Sequence, residues 1–369
     1  MPRVKVGGSV ESAVNNEEGF GTAMQMRRLG RTDLQVSCIG FGGIPIRRPP
    51  TDEAVRLYRQ AMDLGINYFD TARGYERGEE RLAQAIKGRR DQVIIASKTG
   101  APTGEKMLEE VEASLGCLGT DYIDIYKYHG ICELEVWEKA NAPGGAMDGL
   151  RMAREQGKIR FIGVSGHNAD VLTEIVRSGD VDVILVIYNY IANAPERTLL
   201  PACKEMDVGV TVMKPLGGSV LAGQADLALR YILQHDTHAA CVGMWREAEL
   251  LDNLGVGENP APLTQEEMGF LEELRAFHDR YFCRLCYRHW QCPYGVQITG
   301  LMIADLCYVR HGLEEMLGRG WREQVLAAEK CLTCDQREAC RKSCPYGLDI
   351  GHVLGSFYQR IGPIVRERA

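Results

Sequence analysis

Short apolar runs alternate with longer amphipathic stretches along most of the chain. In the longer stretches, apolar residues recur every three or four positions, as on one face of a helix, at residues 52–64, 79–87, 106–118, 168–178, 195–206 and 224–233. The apolar runs are strand candidates that end near Gly42, Asp70, Lys98, His129, Ser165, Asn189, Lys214 and Gly243. Strict alternation of strand and helix predicts a parallel sheet, and eight such units predict an α/β fold closed into a (β/α)8 TIM barrel.

An open, doubly wound sheet is the alternative fold with the same alternation of elements. Dinucleotide-binding folds of that type carry a Gly-x-Gly-x-x-Gly turn after the first strand. No such turn follows the run that ends at Gly42. The closed barrel is therefore the favoured fold.

The pattern changes on both sides of the barrel. Residues 1–25 are rich in Gly, Asn and Glu and have no period, which is typical of a flexible extension. Pro260 and Pro262 interrupt the alternation, and Thr264-Gln-Glu-Glu267 is a capping-box sequence that predicts a new helix reaching about residue 281. The predicted units are an extension at residues 1–25, a barrel at 26–258 and a C-terminal module at 259–369.

Composition and charge indicate the number of domains, the classes of partner and the cellular compartment of the protein. The chain has 369 residues, 45% of them hydrophobic, which is enough for one large barrel and a small second unit. A net charge of −7 argues against nucleic acid or an anionic membrane as a partner. No apolar run is long enough for a membrane span, and no apolar signal segment follows Arg3 and Lys5. These features predict a cytoplasmic protein.

Four polar residues follow three successive strand candidates. Asp70 and Lys98 each end a run, Tyr75 lies in the loop after Asp70, and His129 ends the third run. Because neighbouring parallel strands end at one rim, we expect the four side chains to share a site. A free phenol has a pKa of about 10, and a nearby ammonium would lower the pKa of Tyr75. Tyr75 would then exchange a proton with a carbonyl oxygen that His129 orients, while Asp70 holds Lys98 in place.

Each of these residues also has a structural explanation when it is taken alone. Asp70 and Lys98 would form a structural ion pair. Tyr75 would be a loop aromatic, and His129 a strand-end histidine with its hydrogen bonds satisfied. Four such residues at successive strand ends favour a shared active site over four unrelated structural roles.

Several segments resemble the hallmark sequences of the aldo-keto reductase family. They are Phe69-Asp-Thr-Ala-Arg-Gly-Tyr75, Ala96-Ser-Lys-Thr99, the segment from Ser114 to His129 and Gly157-Lys-Ile-Arg-Phe-Ile-Gly-Val-Ser165. The resemblance runs from about residue 26 to residue 253. It implies a hairpin across the bottom of the barrel near residues 26–36, nicotinamide-dependent interconversion of a carbonyl and an alcohol, and Asp70, Tyr75, Lys98 and His129 as the catalytic tetrad.

The resemblance also implies that NADP or NAD lies across the strand ends and the last two loops. Lys214-Pro-Leu-Gly-Gly-Ser219 is a glycine-containing loop of the kind whose backbone N–H groups hold a pyrophosphate, and a plain strand-to-helix turn is its alternative reading. The expected cofactor contacts are Gly42, Ser165, Asn189, Lys214, Leu216, Gly217, Gly218, Gly243, Arg246, Asp252 and Asn253.

Two departures from the family pattern concern the cofactor. Leu185 stands where the family usually has a glutamine that holds the nicotinamide carboxamide. Either Asn189 partly replaces this anchor, or the cofactor binds loosely or not at all. Gly243 and Glu249 stand where many members carry basic residues for the adenosine 2′-phosphate. Because a carboxylate repels a phosphate, Arg246 is the candidate cation, and NADH and NADPH both stay open.

Thirteen cysteines are present, and eight of them lie at or after Cys283. Seven of these eight form two groups that both end in Cys-Pro-Tyr-Gly: Cys283-x2-Cys286-x2-His289-x2-Cys292 and Cys331-x2-Cys334-x5-Cys340-x3-Cys344. Such a repeat is typical of a two-cluster ferredoxin, in which the cysteine before proline ligates the cluster of the other half. The C-terminal part also resembles a reductase subgroup with a ferredoxin-like module.

The repeat predicts two iron–sulfur (4Fe–4S) clusters in a helical C-terminal domain. One cluster is assigned to Cys292, Cys331, Cys334 and Cys340, and the other to Cys283, Cys286 and Cys344, with Cys307 as the spare thiol. His289 stands where a third loop cysteine would be, and it is either the fourth ligand or a solvent-facing residue, in which case the site could lose an iron. A pair of zinc sites is the alternative. The cysteine clusters argue for metal in a reducing compartment, not for a disulfide scaffold.

The sequence is compatible with three functions. The first is an NAD(P)H-dependent reductase or dehydrogenase acting on a small carbonyl or alcohol, whose clusters exchange electrons with a one-electron partner or shape the substrate mouth. The second is a lyase or isomerase that uses Tyr75 and Lys98 for proton transfer. The third is an electron carrier or redox sensor on a barrel scaffold. The substrate stays open because specificity lies in variable loops, here residues 131–145 among others.

Overall fold

The computed structural model describes residues 23–286 and 291–368. Most of the predicted extension, residues 1–22, lies outside this description, and so does His289. The described chain begins with an antiparallel hairpin of β1 (Met26–Arg28) and β2 (Gln35–Ser37). Leu29 and Val36 of this hairpin are fully buried among side chains of the barrel interior, so the hairpin closes the bottom of the barrel.

Eight parallel strands form the body of the molecule. They are β3 (Ile39–Gly42), β4 (Tyr68–Asp70), β5 (Ile94–Thr99), β6 (Ile123–Tyr128), β7 (Ile159–Gly166), β8 (Val183–Ile187), β9 (Gly209–Met213) and β10 (Ala239–Gly243). The strands are hydrogen-bonded in chain order, and β10 pairs with β3 to close the ring. This arrangement confirms the predicted (β/α)8 barrel.

Helices surround the strands and bury their apolar faces against them. The bounds are α1 (Thr51–Asp63), α2 (Gly78–Ile86), α3 (Gly104–Leu118), α4 (Leu134–Asn141), α5 (Ala146–Glu155), α6 (Ala169–Arg177), α7 (Leu199–Glu205), α8 (Ala225–Leu233) and α9 (Glu247–Glu258). The loop predicted at residues 131–145 contains α4, because Trp137 and Ala140 bury one side of this short helix.

Five more helices follow the barrel. They are α10 (Gln265–His278), α11 (Ile298–Gly318), α12 (Arg322–Ala327), α13 (Arg337–Ser343) and α14 (Ile350–Glu367). The predicted capping box is present, since Thr264 and Glu267 each accept the other's backbone N–H. Helix α10 packs Leu271 on the barrel core, whereas α11 and α14 enclose a second core. Among the described residues, no helix combines the length and apolar character needed to span a bilayer.

The register of the strands decides which inward-facing side chains share a layer. Lys98 on β5 pairs with Lys127 on β6, and Lys127 pairs in turn with Gly163 on β7. Asp70 ends β4, opposite Ala96 of β5. One carboxylate and two lysines therefore meet at the same end of the barrel.

Candidate active site

The carboxyl ends of the barrel strands surround a cavity of about 570 Å³. Asp70, Tyr75 and His129 line it, and Lys98 lies directly behind them with only 1% of its surface exposed. The Lys98 ammonium donates to Asp70 Oδ1 at 2.5 Å and to the carbonyl oxygen of Thr71 at 2.8 Å. All four predicted tetrad residues thus meet at one site.

Tyr75 lies between a cation and an imidazole. The ammonium of Lys98 stands over the phenol ring, 4.8 Å from its centroid. The ring of His129 meets the Tyr75 ring edge to face, with 6.1 Å between centroids. Burial and the Asp70 carboxylate raise the pKa of Tyr75 well above 10, so the expectation of a lowered pKa is wrong. Near neutral pH Tyr75 is therefore a protonated phenol that can donate its proton.

Lys127 is a member of this site that the sequence prediction lacks. Its ammonium donates to Asp70 Oδ2 at 2.8 Å and to the phenol oxygen of Tyr68 at 3.2 Å. Burial opposes ionisation of Asp70, but Lys127 and Lys98 together outweigh it and lower the pKa of the carboxyl group. The available signal was a lysine inside the apolar run Ile123-Asp-Ile-Tyr-Lys-Tyr128, because a charge in a buried strand needs a partner.

His129 is neutral at physiological pH. Burial, reinforced by the ammonium of Lys98, lowers its pKa to about 4. A neutral imidazole carries one N–H group, which it can direct at an oxygen atom in the cavity. His129 can therefore orient a carbonyl group, while Tyr75 remains the proton donor.

The predicted cofactor contacts divide into two sets. Six of them line the same cavity as the tetrad: Gly42, Ser165, Lys214, Leu216, Gly218 and Gly243. Gly217 and Gly218 have φ values of 52° and 69°, which glycine adopts without strain. The Lys214 ammonium lies 2.8 Å from His167 Nε2. The loop after β9 therefore presents a lysine and a left-handed backbone turn to the cavity.

The other residues predicted to bind the cofactor do not line this cavity. The buried Asn189 accepts from the backbone N–H groups of Ile191 and Ala192 and donates to the carbonyl oxygen of Lys214. Its amide therefore fixes the rim of the barrel, and its predicted role as a replacement carboxamide anchor has no support from these contacts. Leu185 lines the cavity as an apolar side chain.

The loop after β10 borders a separate surface cleft that is lined by four arginines and four carboxylates, the latter being Asp52, Glu53, Asp63 and Glu247. The guanidinium carbons of Arg48 and Arg246 lie 5.1 and 3.9 Å from the ring centroid of Trp245. Arg56 and Arg59 line the same cleft. Glu249 accepts the backbone N–H of Trp245, so its carboxylate is engaged locally. Asp252 is exposed on α9, and Asn253 donates to the carbonyl oxygen of Glu249 in the same helix.

The C-terminal cysteines line two small cavities. Cys292, Cys331, Cys334 and Cys340 surround the first, which we call the four-cysteine pocket. Cys283, Cys286 and Cys344 surround the second, the three-cysteine pocket. Each pocket takes the cysteine before proline from the opposite half of the repeat. Within residues 23–286 and 291–368, no group of three or more His, Cys, Asp or Glu side chains is arranged to hold a metal ion.

The three-cysteine pocket adjoins the wall of the active-site cavity. Phe282, next to Cys283, packs in the barrel core against Gly217. Leu285, between Cys283 and Cys286, contacts His167, the partner of Lys214. The same short loop therefore borders both the cysteine pocket and the cavity that holds the tetrad.

The cavity and its convergent polar residues lie at the carboxyl ends of the strands, where the active sites of (β/α)8-barrel enzymes are found. Comparison with known proteins gives the family. A model of the Aldo/keto reductase family matches residues 38–226, just over half of the chain. The chain belongs to this family and is an oxidoreductase of the aldo-keto reductase type.

Curated relatives and solved structures agree with this assignment. L-galactose dehydrogenase of Arabidopsis thaliana is 33% identical over 222 residues, covering 55% of this chain and 69% of that protein. The NADH-specific methylglyoxal reductase of Escherichia coli K12 is 31% identical, with coverages of 53% and 68%. An aldo-keto reductase from Bacillus halodurans in its holo form superposes with a TM-score of 0.59 at 27% identity, covering 68% of this chain and 96% of that one. A Klebsiella pneumoniae aldo/keto reductase, solved with NADP and acetate, gives a TM-score of 0.56 at 25% identity with coverages of 69% and 95%.

Proposed function

We propose that this protein is an NAD(P)H-dependent carbonyl reductase in which Tyr75 donates the proton to the carbonyl oxygen. The observation that carries the proposal is the convergence of Asp70, Tyr75, Lys98 and His129 on one cavity. The E. coli relative is NADH-specific, and the Klebsiella structure contains NADP. Both names support a nicotinamide cofactor for this chain as well.

The cavity provides room and polar groups for this chemistry. Gly42, Gly218 and Gly243 leave the backbone accessible along its wall, and the Lys214 ammonium offers a positive charge. When bound, the nicotinamide cofactor supplies the hydride. Leu185 and Met213 give the cavity an apolar surface suited to excluding water.

Side chains of the cavity bind and protonate the carbonyl oxygen of the substrate. His129, neutral near pH 7, donates an N–H group that holds the oxygen in place and stabilises its developing negative charge. Tyr75 transfers its phenol proton to that oxygen as the alcohol forms. Lys98, held by Asp70, provides the positive charge next to the phenol ring.

We further propose that the C-terminal module, assigned to residues 259–369, holds two iron–sulfur clusters. Thiols from both halves of the repeat line each cavity, as the crossed ligation of two-cluster ferredoxins requires. The Cys-Pro endings and the repeated flanking residues of the two cysteine groups favour iron–sulfur clusters over zinc sites. His289 stays the proposed fourth ligand of the three-cysteine pocket.

We assign a structural role to the cluster proposed for the three-cysteine pocket. Hydride transfer moves two electrons and a cluster moves one. Because the loop of the three-cysteine pocket also borders the cavity wall, we assign its cluster the task of holding that wall in shape.

The test is an anaerobic preparation assayed for NADH and NADPH oxidation against a panel of aldehydes and ketones. We expect turnover that falls about 10²- to 10⁴-fold in Tyr75→Phe, because the proton donor is lost. The matched control is Tyr122→Phe. This variant should retain activity, because the ring of Tyr122 stacks on Arg90 away from the cavity. Full activity in Tyr75→Phe would refute the proposal.

A lyase or isomerase is the second candidate, and the apolar Leu185 on the cavity wall favours it because one expected cofactor anchor is missing. Titration of the protein with NADH and NADPH separates the two candidates. Quenching of tryptophan fluorescence by either cofactor supports the reductase. Absence of binding by both supports proton transfer without hydride.

A further inference from the structure

We propose that Lys127 is a positioning residue that occupies the second oxygen of Asp70, so that Lys98 keeps an uncompensated positive charge facing Tyr75. This inference rests on the proposed function, because it assigns one more residue to the same reaction.

The geometry of the carboxylate is the first support. Asp70 Oδ1 accepts from Lys98 at 2.5 Å and Asp70 Oδ2 accepts from Lys127 at 2.8 Å. All three residues are at least 95% buried, so water screens their charges only weakly. One carboxylate balances one ammonium, and the three groups together carry one positive charge.

The barrel is shaped to accommodate this second lysine. Gly163 lies beside Lys127 in the sheet register. A Cβ atom on Gly163 would lie 2.8 Å from Lys127 Cγ and 2.8 Å from the carbonyl oxygen of Val183. The stem of Lys127 therefore occupies the space that a side chain at position 163 would need. Tyr68 completes the site by accepting a hydrogen bond from the ammonium.

Among the residues described, Asp70 is the one carboxylate that hydrogen-bonds Lys98 or Lys127, and Glu133 is a second carboxylate that lines the cavity. The titratable groups around Asp70, Lys98 and Lys127 also include Tyr58, Tyr68, Tyr75, His129, Lys214 and Cys241. Burial raises the pKa of Cys241 far above neutral, so its thiol is uncharged at physiological pH.

The net positive charge of Asp70, Lys98 and Lys127 stabilises a charge that develops during the reaction. An isolated lysine–aspartate pair is neutral overall and offers little to a neighbouring phenolate. When Tyr75 breaks its O–H bond and the proton bonds to the substrate oxygen, the phenol oxygen becomes negative. A fixed positive charge in a dry site stabilises that state, because no solvent has to reorganise around it. Lys127 supplies this charge indirectly by sharing Asp70 with Lys98.

The test compares pH profiles of carbonyl reduction in wild type and Lys127→Met. Removing a buried positive charge raises the pKa of every neighbouring acid, whether that acid is the Tyr75 phenol or the Lys98 ammonium. We expect the alkaline limb of kcat to move upward by about one pH unit or more. We expect kcat to fall about 10- to 100-fold, while the KM for the carbonyl substrate changes little.

The matched control is Tyr68→Phe, which removes the phenol contact of Lys127 and retains every charge. Its alkaline limb should stay in place. If Lys127→Met does not fold, Lys127→Gln repeats the test with a side chain that can still hydrogen-bond Asp70. A folded neutral variant with an unmoved alkaline limb would overturn the inference, because packing alone does not change the charge.

A second readout needs no turnover. The pKa of His129, about 4 in the wild type, is lowered in part by Lys127 and can be followed by NMR titration of its imidazole. Loss of the charge should raise this pKa in Lys127→Met, and an unchanged value overturns the inference. A wild-type protein without carbonyl turnover would refute the proposed function alone, and the His129 titration would still decide whether Lys127 sets the charge of the site.

Discussion

Arg284 Nε donates to the carbonyl oxygen of Ile191 at 3.0 Å, and this bond fixes the loop between Cys283 and Cys286 to the rim of the barrel. The guanidinium is 8% exposed, pairs with Asp279 and lies 4.2 Å from the ring centroid of Tyr346. Tyr346 follows the Cys-Pro of the second half of the repeat. A single side chain therefore joins the barrel to both halves of the three-cysteine pocket.

Replacing Arg284 should destabilise both the three-cysteine pocket and its attachment to the barrel. In Arg284→Met, charge-assisted hydrogen bonds are lost and Asp279 loses a partner, so we expect a loss of about 1.5–3 kcal/mol in the free energy of unfolding. Thermal melting checks the stability and iron analysis checks cluster retention. Arg177→Met, whose side chain pairs with Glu174 on the exposed face of α6, is the control. Unchanged melting and iron content in Arg284→Met would contradict this linking role.

The crossed cysteine sets give a second prediction. Cys334→Ala should remove the cluster of the four-cysteine pocket, and Cys286→Ala the cluster of the other, so each lowers the iron content from about eight to about four per chain. Cys307→Ala is the control, because Cys307 lies in the second hydrophobic core and lines neither pocket. Iron and sulfide analysis with EPR of the reduced protein distinguishes the sites. Zinc in place of iron and sulfide would refute the cluster assignment.

The tetrad was predictable because parallel strands in a closed barrel present their carboxyl ends at one rim. Asp70 and Lys98 end their strands, and alternation alone predicts their meeting. Lys127 is different: its role depends on the register between β5 and β6 and on the missing side chain at Gly163, which no local pattern reveals. The raised pKa of Tyr75 also depends on tertiary burial, to which the Asp70 carboxylate adds.

The grouping of the cysteines around two pockets was predictable for a related reason. A repeat fixes which residues are equivalent, and each pocket is lined by cysteines of both halves, while ligation of a cluster stays a prediction. The contact of Leu285 with His167 was not predictable, because it arises from docking of the C-terminal loop on the barrel. Sequence periodicity describes elements one at a time, whereas docking depends on complementary surfaces from distant parts of the chain.

Arg246 is the residue we expect to bind the adenosine 2′-phosphate of NADPH. It lies over Trp245 in the surface cleft after β10, together with Arg48. In Arg246→Gln, the KM for NADPH should rise about 10- to 100-fold through loss of a phosphate contact, while the KM for NADH stays nearly constant. Lys204→Gln is the control, since Lys204 pairs with Asp236 at the protein surface. Equal changes for both cofactors would exclude recognition of the 2′-phosphate.

His129 makes the stability of the protein depend on pH in a defined direction. Its pKa is about 4 in the folded state, against a reference value of about 6.5. Between these values the unfolded chain binds a proton that the folded chain does not, so stability falls as pH decreases through this window. Acidification through this window therefore costs the wild type at most about 3 kcal/mol of stability, and this loss is absent above about pH 6.5. In His129→Gln the pH-dependent loss does not occur.

Urea unfolding of wild type and His129→Gln at several pH values between about 4 and 7.5 measures the difference. The two stability curves should converge with rising pH and diverge with falling pH, the wild type losing stability faster. Because glutamine retains an N–H donor, carbonyl reduction at pH 7 should fall only about tenfold, and less than in His129→Ala. Parallel stability curves would show that the folded protein does not exclude a charged imidazole at position 129. In that case His129 would also be able to act as an acid, and the assignment of proton donation to Tyr75 alone would have to be revised.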